Sequence, residues 1–390
     1  MSRPSDMLVK KLVRESDWSN VADHTATHRA LRTKFGMSGL LRVMSGLVVG
    51  SDDVFDYIAC YHLIRASAHI SMPITAAVCT SPRIGIHAVL HAGSTEMRQR
   101  YVSDCLSGVT SWSLCMSGPE AGSDLLGMTA RAVRIAPNRW RLQANKKWIT
   151  GGWYADYFCV LVRTDDRTDG RATMGDLTMF VVPRHVAEVT RMTCSGAIES
   201  GTAHVLLEDV EVSSDAIIGN VGQGFQIAMD LLVEERWVSG VTSLAMGRRA
   251  LDEVLCWVHI REVHDVPMHR LQAVRMRLAR MKMLLDPLDA LALQLATRLE
   301  ECRNAKCMTI SLSADCAGFK ATATHVLTEC VRHAMILLGG RAFELTGYGA
   351  TVARLNTEVH GIQCAGGTYD VLMDGVARTM ITRSAPMPSL

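Results

Sequence analysis

The spacing of apolar residues changes twice along the 390-residue chain, and this limits the fold more than any single motif does. From the N-terminus to about Gly108 the apolar positions recur at helical spacing. Asp53-Val-Phe-Asp-Tyr-Ile-Ala-Cys-Tyr-His-Leu-Ile reads as one helix, with Asp52 or Asp53 as its N-cap. Ile86-His-Ala-Val-Leu-His-Ala reads as another, stopped by Gly93. The period then shortens to two. Met128–Ile135 and Trp140–Asn145 alternate, and Tyr157–Arg163, Leu177–Val182 and His204–Val212 are short runs rich in Val, Leu and aromatics. Pro137-Asn138 and Asp169-Gly170 supply turns, so a small antiparallel barrel or sandwich is expected. Near Gly222 the helical period returns. Gly224–Leu232 opens one long helix, Arg249–Val258 and Leu271–Leu285 read as others, and Gly339-Gly340 and Gly366-Gly367 break the remainder. The expected fold is α+β, with a β domain between two helical ones: a helical domain over residues 1–112, a β domain over 113–218 and a helical bundle over 219–390.

Charge narrows the partners. Lys and Arg total 41 against 39 Asp and Glu, so a net charge of +2 gives no reason to expect nucleic acid or an acidic membrane surface. No apolar stretch reaches the roughly 18 residues of a membrane span. The start of the chain has no apolar signal core, and Asp6 and Glu15 argue against a transit peptide. The twelve cysteines are irregularly spaced, which points to reduced thiols and a cytoplasmic location.

Several chemistries lack their motifs. There is no Gly-x-Gly-x-x-Gly after a strand, no P-loop and no Gly-x-Ser-x-Gly elbow. His24 and His28, like His87 and His91, stand four apart but have no third metal ligand in sequence, so they are read as ordinary surface or core histidines. Cys302 and Cys307 are read as buried thiols. Two other segments stand out. Leu114-Cys-Met-Ser-Gly-Pro-Glu-Ala-Gly-Ser-Asp can bring backbone N–H groups and hydroxyls up to a phosphate or a planar heterocycle. In Asn145-Lys-Lys-Trp-Ile-Thr-Gly-Gly, Trp148 and Thr150 would share one face of a strand, one packing on a ring and the other hydrogen-bonding to it.

In this order and spacing the segments resemble the acyl-CoA dehydrogenase family. Ser117-Gly-Pro-Glu-Ala-Gly-Ser-Asp124 is similar to the family's Thr-Glu-Pro-Gly-Ala-Gly-Ser-Asp. Ala144-Asn-Lys-Lys-Trp-Ile-Thr-Gly-Gly152 is similar to its Gly-x-Lys-x-Trp-Ile-Thr-Asn-Gly. Gly222-Gln-Gly-Phe, Glu235-Arg236, Leu338-Gly-Gly340 and Gly367-Thr368 match later motifs, so the likeness runs from about Ala30 to Ile381. It implies a helical domain, a β-barrel domain and a four-helix bundle, assembled as a homotetramer or homodimer, with FAD between the β domain and the bundle. It also implies an acyl-CoA thioester substrate, electron-transfer flavoprotein as the electron acceptor and a place in fatty-acid metabolism. By matched position, Met116 and Ser117 would face the isoalloxazine, Ser123 the pyrophosphate, and Trp148 and Thr150 the flavin ring and its N5. Thr368 and Gly340 would contact FAD near the closing motifs, and Arg261 and Gln272 would hold its phosphate or adenosine part across a subunit interface. The chain departs from the pattern at His264-Asp265, where the family has Phe-Gly, at Ile336, where it has glutamine, and at Asn356-Thr357, where it has Arg-Asp.

The family removes an α-proton from the acyl thioester and passes the β-hydride to the flavin. Most members place the glutamate base directly before Gly-Thr in the closing loop, which here reads Gln363-Cys-Ala-Gly-Gly-Thr-Tyr-Asp, so the base position holds Gly366. A minority use a glutamate on the helix before an arginine, which here is Glu235 before Arg236, the latter expected at the substrate. Leu231, Leu232, Val238 and Ser239 flank Glu235 on its helix, an otherwise apolar surrounding that would raise a carboxyl pKa. Glu234 is the nearest competitor. The Gly366 N–H would remain as a donor to the thioester oxygen. A Gly-Gly-Thr loop without the usual base also resembles a subgroup that includes crotonobetainyl-CoA reductase. Enoyl-thioester reduction, or an acyl group on a carrier protein, is therefore an alternative, and a non-catalytic thioester-binding or assembly protein is another.

Overall fold

The computed structural model describes residues 4–15, 24–51, 53–165, 170–196 and 198–384. Asp52 and Asp169, named above as a cap and a turn residue, lie outside them. Contacts group the chain into two compact units, residues 1–63 with 73–194 and 198–232, and residues 64–72 with 195–197 and 233–390.

The first unit begins with helices α1 (Pro4–Glu15), α2 (His24–Met37) and α3 (Leu40–Met44) and the start of α4 (Tyr57–Ile70). The cap of α4 differs from the expectation. The Ser51 hydroxyl accepts from the Asp53 and Val54 N–H groups and closes a turn, and Phe55 then bridges to Leu47. The helix therefore starts later, and it is the Asp56 carboxyl that accepts the Ala59 N–H at 2.8 Å. After α5 (Met72–Cys79), a π-helical turn over Thr80–Gly85, α6 (His87–Ala92) and α7 (Thr95–Leu106), the chain enters the sheet. His28 is buried and stacks on Tyr154 with centroids 4.0 Å apart, and burial takes its pKa down to about 3, so it is neutral. His87 and His91 share a face of α6 with ring nitrogens 3.0 Å apart.

The strands are β1 (Trp112–Cys115), β2 (Arg131–Ala136), β3 (Arg139–Ile149), β4 (Tyr157–Arg163), β5 (Leu177–Pro183), β6 (Glu188–Arg191), β7 (Ala203–Ser213) and β8 (Ile217–Ile218). They form one sheet in the order β6-β7-β3-β2-β4-β5-β8, with β1 added beside β4. The sheet is mostly antiparallel, as expected, except that β1 runs parallel to β4 and β2 meets β4 in a parallel pairing at Arg131 and Arg163. The reason is local: β1 arrives from the helices, anchored where the Trp112 N–H donates to the Ser81 hydroxyl at 2.9 Å. Alternation sorts Trp140, Leu142, Ala144 and Lys146 inward, and Phe158, Val160, Val162, Phe180 and Val205 complete the core.

The second unit takes up α8 (Gly224–Ile260) from Val233 onward, then the hairpin β9 (Glu262–Val263) and β10 (Val266–Pro267), α9 (Gln272–Asn304), α10 (Ser313–Leu338), α11 (Ala350–Cys364) and α12 (Tyr369–Ser384). Two runs expected as separate helices are one: α8 is continuous for 37 residues. The run expected to end at Leu285 continues to Asn304 through Pro287. Pro287 is exposed, and Met283, whose carbonyl loses its helical partner, is 70% exposed, so water meets that carbonyl while Leu285, Leu288 and Ala292 keep the helix packed. At the hairpin tip His264 and Asp265 both take left-handed backbone (φ 51° and 59°), so Asp265 fills the conformation a glycine would favour. All twelve cysteines are free. Cys302 is half-buried and Cys307 exposed, against the expectation of buried thiols, because the α9 terminus carries both to the surface of the unit.

Candidate active site

In the second unit Glu235 and Arg236, in the first turn of its part of α8, meet the loop between α11 and α12. Gly366 has φ +67°, and a Cβ built there would stand 3.8 Å from Glu235 Oε1 and 3.7 Å from Arg236 Cγ. Gly367 has φ +113°, and a side chain there would press on Leu372. Two consecutive residues on the left-handed side require glycine, and they turn the loop tightly against α8. Arg236 Nε donates to the Gly366 carbonyl at 3.0 Å, and its Nη1 reaches the Ser313 hydroxyl at 3.5 Å. Arg236, expected at the substrate, is thus engaged with the loop that carries Gly366.

Burial raises the pKa of Glu235 above the usual carboxylate value, while the positive charges of Arg236 and Lys320 oppose the rise. Its surroundings therefore combine the expected apolar helix neighbours and the adjacent Arg236 with Lys320, a cation that sequence spacing does not reveal. The carboxyl has no hydrogen-bond partner among the described residues. Glu234 differs sharply. It is fully buried, and its carboxyl accepts from Arg303 Nε at 2.6 Å and from a second guanidinium nitrogen. The Glu234 carboxyl is thus already engaged by a buried arginine, a pairing that is costly to break.

The first unit carries the second cluster. Met116 is half-buried, and its carbonyl accepts from Lys146 Nζ at 2.8 Å. Lys146 is 1% exposed, and burial lowers its pKa to about 8. Ser117 is tied to the neighbouring strand twice: its hydroxyl donates to the Lys147 carbonyl at 3.0 Å and its carbonyl accepts the Lys147 N–H at 3.1 Å. Ser123 is exposed at the loop's far end.

Trp148 and Thr150 do not share a strand face as spacing implied. Lys146 pairs with Val205 and Ile149 with Ala203, so β3 has one residue more than β7 across this interval. The bulge puts Trp148 at φ +60°, a left-handed conformation rare for a bulky residue. Its indole is 51% exposed with Lys147 Nζ 5.2 Å from the ring centre. Thr150 lies just past the strand, its carbonyl accepting from the Ser113 hydroxyl at 3.0 Å. In the second unit Arg261 follows α8, Gln272 opens α9, Gly340 follows α10 and Thr368 precedes α12; all four are exposed. Lys146, Arg303 and Lys320 were not singled out from sequence. The one available signal was a charged residue inside an apolar pattern, which does not identify its partner.

Residues 113–210 match the model described as acyl-CoA dehydrogenase, middle domain, and residues 222–381 match acyl-CoA dehydrogenase, C-terminal domain. The chain is 31% identical over 301 residues to an acyl-CoA dehydrogenase of Emericella nidulans, a match covering 76% of this chain and 67% of that protein. The chain spans about two thirds of the length of such curated relatives. Its fold is similar to that of a probable acyl-CoA dehydrogenase from Mycobacterium abscessus, with a TM-score of 0.85 and 24% identity over 97% of this chain and 99% of that one. It is likewise similar to a Bacillus anthracis acyl-CoA dehydrogenase in complex with FAD, with a TM-score of 0.83 and 19% identity over 98% of this chain and 68% of that one.

Proposed function

The chain belongs to the acyl-CoA dehydrogenase family, and from that premise we propose that it is an FAD-dependent acyl-CoA dehydrogenase in which Glu235 removes the α-proton of an acyl thioester. The observation that carries this reading is the meeting of two base positions. A side chain leaving Gly366 would set out 3.8 Å from Glu235 Oε1, so the carboxyl of Glu235 borders the space that a loop glutamate would enter. The base then comes from α8 and not from the loop.

The residues divide the work as follows. Glu235 accepts the α-proton; its raised pKa brings it closer to the operating pH, where a general base is most effective. The Gly366 N–H has no acceptor among the described residues and donates to the thioester oxygen as negative charge develops there. Loss of one such donor costs roughly 3 kcal/mol in other enzymes. Arg236 holds the Gly366 carbonyl, and with it the Gly366–Gly367 peptide that follows the donor. FAD, when bound, supplies the acceptor for the β-hydride. In the first unit Met116, Ser117, Ser123, Trp148 and Thr150 are the residues to hold it, and in the second Arg261, Gln272, Gly340 and Thr368. A half-exposed indole kept on a left-handed backbone fits a planar ring ligand. Electron-transfer flavoprotein is the proposed electron acceptor, and the proposed assembly is a homotetramer or homodimer. None of the described helices is long and apolar enough to cross a membrane.

The raised pKa of Glu235 also suits the reverse direction. A carboxyl that stays protonated to higher pH can deliver a proton to the α-carbon of an enoyl thioester. Comparing turnover on saturated and unsaturated thioesters, including carrier-protein-bound ones, separates the two directions. Glu235→Gln tests the assignment itself: α-proton exchange with solvent deuterium should fall about 100-fold or more with flavin still bound. Unchanged exchange would remove Glu235 from the mechanism.

A further inference from the structure

Lys320 lies on α10, fully buried, and its ammonium donates to the Gln363 carbonyl at 2.7 Å and the Gly367 carbonyl at 2.6 Å. Gln363 is in the last turn of α11, where unpaired carbonyls gather the negative end of the helix dipole. The lysine therefore caps α11 and bridges it to the loop beyond. Arg236 holds the intervening Gly366 carbonyl from the α8 side. The Ala365 N–H donates to Gly361 and the Gly367 N–H to Cys364. Between them the Gly366 N–H has no acceptor among the described residues. Two cations thus hold the Gln363, Gly366 and Gly367 carbonyls on either side of that N–H, in a turn whose Gly366 position lies close to the Glu235 carboxyl.

We propose that Lys320 is a positioning residue of the active site: it clamps the α11–α12 loop so that the Gly366 N–H stays turned out, and it places a buried positive charge opposite Glu235. The inference rests on the assignment of Glu235 as the base. The titratable groups acting on Lys320 are Glu235 and Arg236 from α8 and Cys364 from α11. Those acting on Glu235 are Arg236 and Lys320. Burial lowers the pKa of Lys320 to about 8 against the pull of Glu235, so the clamp is charged at neutral pH and loses its proton in mild base. Its charge favours the ionised form of Glu235, and its removal leaves the base harder to ionise.

The test uses the flavin-loaded enzyme and two substitutions close to lysine in length. Lys320→Met removes charge and donor. Lys320→Gln removes the charge and keeps a donor for one carbonyl. In both variants the acid limb of kcat/KM, set by Glu235, should move to higher pH. Wild-type kcat/KM should decline above about pH 8, and both variants should lack that decline. Hydrogen exchange of the peptide spanning residues 361–369, read without substrate, should be about tenfold faster or more in Lys320→Met than in wild type. It should be less affected in Lys320→Gln. A folded variant with an unmoved acid limb, or a Lys320→Met loop that exchanges at the wild-type rate, overturns the proposal. Glu235→Gln separates the two claims. If it is inactive while the Lys320 variants behave as wild type, only the role of Lys320 falls. If it still exchanges the α-proton, the base assignment falls and this inference with it.

Discussion

Glu234 and Glu235 are adjacent in sequence, and α8 turns them to different surroundings. Glu234 meets Arg303, and both side chains are buried. Glu235 faces the Gly366 loop without a hydrogen-bond partner among the described residues. Substituting Glu234 by Gln removes the carboxylate charge that faces the buried Arg303 guanidinium, so denaturant unfolding should show a loss of about 3–5 kcal/mol, with α-proton exchange surviving in the folded fraction. Glu235 carries the opposite expectation. Its folded pKa is raised, so the fold favours the neutral carboxyl; that contribution is complete below the ordinary carboxylate pKa and is lost as pH rises through the folded value. Once ionised, the buried base no longer contributes that stability, and Glu235→Gln should melt no lower than wild type while losing activity. Because proton abstraction needs the ionised form, kcat/KM should fall on acidification at a pH above the ordinary glutamate value of about 4.3. Sequence supplied both glutamates and ranked Glu235 ahead on register. It could not supply Arg303 or Lys320, whose partners lie 69 and 43 or more residues away.

At the scale of elements, sequence period located the strands well and the helix ends poorly. Alternating burial along β3 follows from side chains pointing to opposite faces, which a sequence shows directly. The continuity of α8 and the passage of α9 through Pro287 depend on packing and solvent exposure, which it does not show. The bulge at Trp148 is likewise set by pairing with β7, and it moved Trp148 off the face assigned from spacing. That bulge carries a prediction. A left-handed backbone costs a non-glycine residue about 1–2 kcal/mol, so Trp148→Gly should keep or raise thermal stability. If the indole serves the flavin, the same variant should retain less of it on gel filtration. Loss of stability with full flavin retention would mean that Trp148 is a packing residue. The α11–α12 loop gives a second case. Gly366→Ala meets no close atom but keeps φ +67°, so it should destabilise by about 1–2 kcal/mol through backbone strain alone.

Across the whole molecule, the order of helices, strands and helices was legible because the hydrophobic period is a property of long segments. The family resemblance was legible because its motifs recur in order. The organisation into two units was not, since β1 is joined to the preceding helices through contacts such as Ser81 with Trp112. If FAD is the cofactor, adding it at about 100 times its dissociation constant should stabilise the flavin-free protein by about 2.7 kcal/mol, read as a rise in melting temperature. The central claim is that this family member takes its base from α8, at Glu235, in place of the loop residue that is now Gly366. It is tested most directly by anaerobic titration of wild type and Glu235→Gln with saturated acyl-CoA thioesters in deuterated buffer, following flavin absorbance and α-deuterium uptake together. The account predicts bleaching and deuterium uptake in the wild type, and neither in a Glu235→Gln variant that keeps its flavin. Bleaching and uptake at the wild-type rate in Glu235→Gln would contradict it.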